Sequence, residues 1–188
     1  MIFRRLGLLN KNQRGFTLIE VLIILAISSF VTGTATMTIF QVLDGNARSN
    51  NHMDAISRVQ NAGYQVSRDA EMAQIAVPTL AADPDGFTDG FPLTLTWREW
   101  EDNDEHMVIY SIVDNKLQRE HYENGWLIGD PYVFDYILRT DPNTGELKTY
   151  CTRSDDGTLH FTLTAIVGVG SQKQTVTRVY EVIPRPSM

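Results

Sequence analysis

The sequence predicts an α+β protein: one long amino-terminal helix, apolar and then amphipathic, packed on an antiparallel β-sheet head. Three observations predict it. Phe16 to Val42 is a run of 27 residues whose only charge is Glu20. Apolar residues then recur in steps of three and four as far as Val77, the spacing of one helix face. From Phe91 onward the period changes to two, the spacing of one strand face, with turn residues between the runs.

The apolar run is long enough to cross a membrane, for which about 20 helical residues suffice. Arg4, Arg5, Lys11 and Arg14 precede it with no acid among residues 1–15. Basic residues on that side orient the amino end towards the cytoplasm and leave the bulk of the chain outside. A secretory signal peptide has an apolar stretch of only about 7 to 15 residues, followed by a small-residue cleavage site. Here the stretch is longer and no such site clearly follows. A plain signal anchor accounts for length and orientation but gives no reason for Glu20. An acid at mid-helix costs about 2.5 to 3.5 kcal/mol on insertion scales, and less near the interface.

A cut after Gly15 would supply the reason, by freeing an α-amino group on Phe16. In a helix, Phe16 and Glu20 would share a face one turn apart. A carboxylate in the first turn also meets the positive end of the helix dipole. Glu20 could instead take the free amine of a neighbouring chain. An ion pair in a poor dielectric penalises any chain packed out of register, so the acid suits assembly.

The stretch "KNQRGFTLIEVLIILAI", Lys11 to Ile27, resembles the amino-terminal signature of type IV pilins and type II secretion pseudopilins. That signature is a basic leader ending in Gly, then Phe, Thr, Leu, Ile or Leu, Glu, and an apolar helix. The resemblance implies that residues 1–15 are a leader, that a prepilin peptidase cuts between Gly15 and Phe16, and that the new amine of Phe16 is methylated. It implies that Glu20 sets register among other pilin or pseudopilin subunits. It also implies a single pass through the lipids of the cytoplasmic membrane, with the head outside, before assembly into a pilus or pseudopilus. The chain then divides into leader 1–15, transmembrane and assembly helix 16–42, amphipathic stalk helix 43–78 and β head 79–188.

In the stalk, Met53, Ile56, Val59, Gly63, Val66, Ala70, Ala73 and Val77 form the apolar stripe, and Pro78 forbids continuation. Asp54, Arg58, Asn61, Gln65 and Asp69 read as the side away from it. Gly33 and Gly45 are weak points where the helix could kink. Major type IV pilins commonly carry a proline inside the apolar helix; none is present here, which leans towards a minor subunit. "RVQNAGYQVSRDAEMA", Arg58 to Ala73, also resembles the stalk helix of J-type minor pseudopilins, where an Arg-Asp pair recurs.

In the head, "FPLTLTW" puts Phe91, Leu93, Leu95 and Trp97 on one face. "MVIYSIV" and "KLQREHY" flank Asp114-Asn115, a two-residue hairpin loop. "VFDYILRT" and "ELKTYC" flank the turn cluster "DPNTG". "LHFTLTAIV" sets Leu159, Phe161, Leu163, Ala165 and Val167 inward, and "TVTRVYEVI" closes the head. About five or six antiparallel strands result, enough to cover the stripe.

The formal net charge is −7, and with the basic leader set apart the remainder carries −11. That balance argues against a nucleic-acid surface, which needs clustered cations. Cys151 stands alone, so no intrachain disulfide forms. His52, His106, His121 and His160 lack the i,i+4 spacing of a helical zinc site, and neither a nucleophile elbow nor a phosphate loop is present. The expectation is a protein that is not an enzyme and has no cofactor. Two readings stand for "DPDGFTDG": a turn-forming loop, or an improvised calcium site using Asp83, Asp85 and Asp89. Three functions follow: a minor pilin or pseudopilin serving secretion or pilus biogenesis; an adhesive or DNA-uptake pilin whose head binds a ligand; or a plain membrane-anchored extracytoplasmic domain.

Overall fold

The computed structural model of the protein describes residues 15–79 and 89–185. The leader expected at 1–15 therefore lies outside the described residues except for Gly15, as do Asp83 and Asp85. The chain forms two compact units, one through Gly45 and one from Asn46 onward. A single helix, α1 (Leu18–Met72), runs through both without a break, so neither Gly33 nor Gly45 interrupts it.

In the first unit Thr17 starts the helix. Its carbonyl accepts the Val21 N–H at 3.2 Å, and its hydroxyl accepts the Glu20 N–H at 3.3 Å. Thr-Leu-Ile-Glu is the Thr-x-x-Glu pattern of a capping box. Every side chain from Leu18 to Leu43 is exposed. The hydroxyls in this stretch turn back on their own helix. Ser29 donates to the Ala26 carbonyl at 2.9 Å, Thr34 to Val31 at 2.9 Å, Thr36 to Thr32 at 2.9 Å and Thr38 to Thr34 at 3.0 Å. Polar groups satisfied internally let such a segment sit in hydrocarbon.

In the second unit α1 buries Ala55, Val59, Ala62, Gly63, Val66, Asp69 and Ala70. This corrects the expected stripe. Met53 is 63% exposed, and Asp69, assigned to the solvated side, is fully buried. The helix also ends five residues before Val77. After Ala73, Gln74 donates to the Thr96 carbonyl at 2.9 Å and the chain enters β1 (Ile75–Thr79). Pro78 accounts for this, because it pushes Val77 towards extended backbone and tolerates only an edge strand. β1 is such an edge, with a register shift at Pro78/Thr79.

Six strands make the first sheet: β1, β2 (Gly90–Arg98), β3 (Glu105–Val113), β4 (Lys116–Glu123), β5 (Trp126–Leu127) and β6 (Tyr132–Phe134), the last two both pairing with β4. The second is β7 (Tyr150–Arg153), β8 (Leu159–Val167) and β9 (Gln174–Val182). Two sheets replace the single one expected. The hairpin expected around "DPNTG" shrinks to one bridge, Thr140 to Leu147, because the preceding segment pairs elsewhere. Tyr136 takes φ 67°, its carbonyl accepts the Ile166 N–H, and Leu138 donates to the Thr164 carbonyl at 2.8 Å. The chain thereby crosses from β4 to β8.

The rest of the head follows the period-two reading. Phe91, Leu93 and Leu95 are buried on β2, and Leu159, Phe161, Leu163, Ala165 and Val167 on β8. Asp114 and Asn115 both have positive φ, 51° and 56°, the left-handed pair that a two-residue hairpin with native twist requires.

Candidate functional site

The segment that carries the sequence argument is Gly15 to Glu20. Gly15 has open space where a Cβ would stand, so packing gives no reason for glycine there. Phe16 is 73% exposed and lies outside α1. Thr17 caps the helix, which starts at Leu18, so Phe16 precedes it in the uncut chain. Glu20 is exposed in the first turn, where the helix dipole favours its charge. Its carboxylate meets no cation among the described residues. The run that follows is apolar and long enough to span a membrane, and none of its most apolar window is buried within the chain.

Over residues 10–36 the chain matches the family model of the prokaryotic N-terminal methylation motif. This is the type IV pilin and pseudopilin signature. The motif supports a prepilin-type substrate and implies maturation by a prepilin peptidase and assembly with other pilin subunits. Both residues that the fold leaves unexplained, Gly15 and Glu20, lie within the matched span. The pilin signature ends at residue 36, so the head is read from its own geometry. No curated protein and no solved structure matches the chain.

Beyond the pilin signature, the head holds two buried ion pairs. Asp69 on α1 accepts from Arg119 Nε at 2.6 Å, Arg119 Nη2 at 3.3 Å, the Tyr110 hydroxyl at 2.6 Å and Gln65 at 3.3 Å. Burial, then the Asp69 charge, push the Tyr110 phenol up, so it stays a donor. Burial opposes the Arg119 charge, but the hydrogen bond and charge of Asp69 outweigh it and raise that group. The second pair is Asp89 with Arg139 Nε at 2.7 Å. The other Asp89 oxygen accepts the Phe91 N–H at 3.0 Å. Each Asp89 oxygen thus already faces a protein donor, and a calcium ion would compete with a guanidinium there. Among the described residues, no group of three or more His, Cys, Asp or Glu is placed to hold a metal ion.

Cys151 is buried on β7. Burial and then the Asp89 charge push its thiol up to about 12, which removes it as a nucleophile at neutral pH. Of the histidines, His52 is exposed on α1, and His160 meets Ser154 at 2.8 Å. His106 and His121 meet each other at 3.1 Å between ring nitrogens. The sequence reading overlooked this pair and the Asp69 cluster. A signal was available for half of each. Pairing counted outward from Asp114-Asn115 puts Tyr110 opposite Arg119 and His121 opposite Val108, diagonal to His106. The helix contribution, Asp69, falls three residues after Val66 and four before Ala73, a core-face spacing that its charge obscures.

Proposed function

We propose that this chain is a minor pilin or pseudopilin: a structural, non-catalytic subunit, stored in the cytoplasmic membrane and drawn into a pilus or pseudopilus after its leader is removed. The observation that carries the reading is Glu20, a charge that no group in the described chain neutralises, at the head of an apolar helix with no partner of its own. In a fibre the helices bundle, and the carboxylate of one subunit receives the terminal amine of Phe16 from the next. The apolar surface of Leu18 to Leu43 passes from lipid to neighbouring helices, so extraction exposes little of it to water. The absence of proline from Phe16–Val42 supports the minor rather than the major class.

Mass spectrometry of the mature amino terminus tests the proposal. A chain that begins at N-methylated Phe16 supports it. A chain that retains residues 1–15 in cells that process their other prepilins overturns it.

A further inference from the structure

The row Trp97, His106, Glu123 and Trp126 crosses β2, β3, β4 and β5 on the sheet face that also carries Leu95, Val108 and Tyr110. His121, two residues from Arg119 along β4, points to the same face, because side chains alternate along a strand. The His106 Nδ1 and His121 Nε2 atoms are 3.1 Å apart, with ring centroids separated by 5.3 Å and planes inclined by 23°. Those two distances differ by about the sum of the two ring radii. The rings therefore meet edge to edge, nitrogen pointing at nitrogen. A chelated metal would need both lone pairs to converge on a point away from the line joining the nitrogens, and head-on rings do not provide one. What they provide is a single N–H···N hydrogen bond.

We propose that His106 and His121 form an acid-released latch across the open end of the β3–β4 hairpin, holding one proton between two nitrogens and letting go when both rings are protonated. The first added proton leaves the latch closed. His106 Nε2 lies 3.2 Å from the Glu99 carboxylate, so a charged His106 donates from Nε2 to Glu99 and from Nδ1 to neutral His121. The second proton goes to His121 Nε2, which is the acceptor of that bond. Two N–H groups then face each other, and two cations lie side by side. Among the groups around the pair, Arg119 opposes that second step, whereas Asp69 and Glu123 favour it, with Asp69 already bound to Arg119 and Glu99 paired with His106. The uncharged Trp97 ring lies 5.4 Å from His106.

The direction of the pH effect follows. Burial first, then the charges of Arg119 and His106, hold His121 below its ordinary value. The folded head therefore takes the second proton less readily than the unfolded chain. The latch's stabilisation is complete above the ordinary histidine value of about 6.5 and is lost as pH falls from there towards the folded value. Arg119 adjoins the latch and ties β4 to α1 through Asp69, so the strand ends that loosen are those beside the helix contact.

Two measurements on the full chain in detergent micelles test the latch. In nitrogen-15 spectra of the histidines, the His106–His121 pair should titrate in two linked steps, the second below the ordinary histidine value. Independent single transitions at a common pH would overturn the proposal. Amide exchange of residues 105–110 and 118–123 is then compared with that of His121→Gln, whose amide can accept from or donate to either protonation state of His106. The wild-type to variant rate ratio should be near one at about pH 7.5 and should rise clearly above one at about pH 5, where the folded head resists the second proton. A ratio of one at both values would equally defeat it, and the spectroscopic arm needs no variant to fold.

Discussion

The carboxylate of Asp69, on α1, accepts a 2.6 Å hydrogen bond from Tyr110 on β3 and another from Arg119 on β4, joining helix and hairpin at a point closed to water. Removing the acid leaves a guanidinium and a phenol there without their acceptor. Asp69→Ala is therefore expected to destabilise the head by about 3 to 5 kcal/mol. Denaturant unfolding of the full chain checks this, as a lower midpoint at unchanged slope. Replacing Asp69, Tyr110 and Arg119 together by Leu, Phe and Met should recover most of the loss, since no buried charge is then stranded.

The proposed function would give Glu20 two separable roles. A capping box accepts Glu or Gln at its fourth position, whereas an ion pair needs the charge. Glu20→Gln should therefore leave helicity and membrane accumulation intact and abolish incorporation into filaments. Circular dichroism and the ratio of sheared-filament to membrane-bound protein read the two separately. Normal incorporation of the variant would remove the ion pair from the mechanism.

Gly63 is fixed by a neighbour rather than by its own backbone. A Cβ there would overlap the ring of Tyr180, whose hydroxyl donates to the Val59 carbonyl at 3.1 Å. Gly63→Ala should cost about 1 to 3 kcal/mol through overpacking. In a Tyr180→Leu background the same change should cost much less, and a double-mutant cycle measures the coupling.

The thiol of Cys151, held up to about 12, should resist alkylation. At mildly alkaline pH the folded chain should react with iodoacetamide on the order of a thousandfold more slowly than the unfolded chain, because the reactive thiolate is rarer by about that factor. Labelling at equal rates would mean that β7 opens readily.

The parts legible in sequence were those set by local period or by a short motif. The strands β2, β3, β4 and β8, the Asp114-Asn115 turn and the Gly15–Glu20 segment all follow from neighbouring residues. Asp69 is misassigned because it is charged: its spacing, three residues after Val66 and four before Ala73, is that of the buried face, and the arrival of Arg119 and Tyr110 from a distant hairpin makes its burial tolerable. The helix end was placed late because Ala73 and Val77 fit a helical stripe as well as a strand. The sheet rejected the helical choice by offering the Thr96 carbonyl to Gln74. The crossing at Tyr136 left no trace in the sequence, since a tyrosine at positive φ is imposed by tertiary pairing.

Among the described residues the first hydrogen bonds of α1 begin at Thr17, and none of them crosses the Gly15–Phe16 bond. A cut at that bond would break none of these hydrogen bonds. Thr17 would become the second residue of the shortened chain with its grip on the Glu20 amide undisturbed, and the new terminus would have only Phe16 to move in order to find a neighbour.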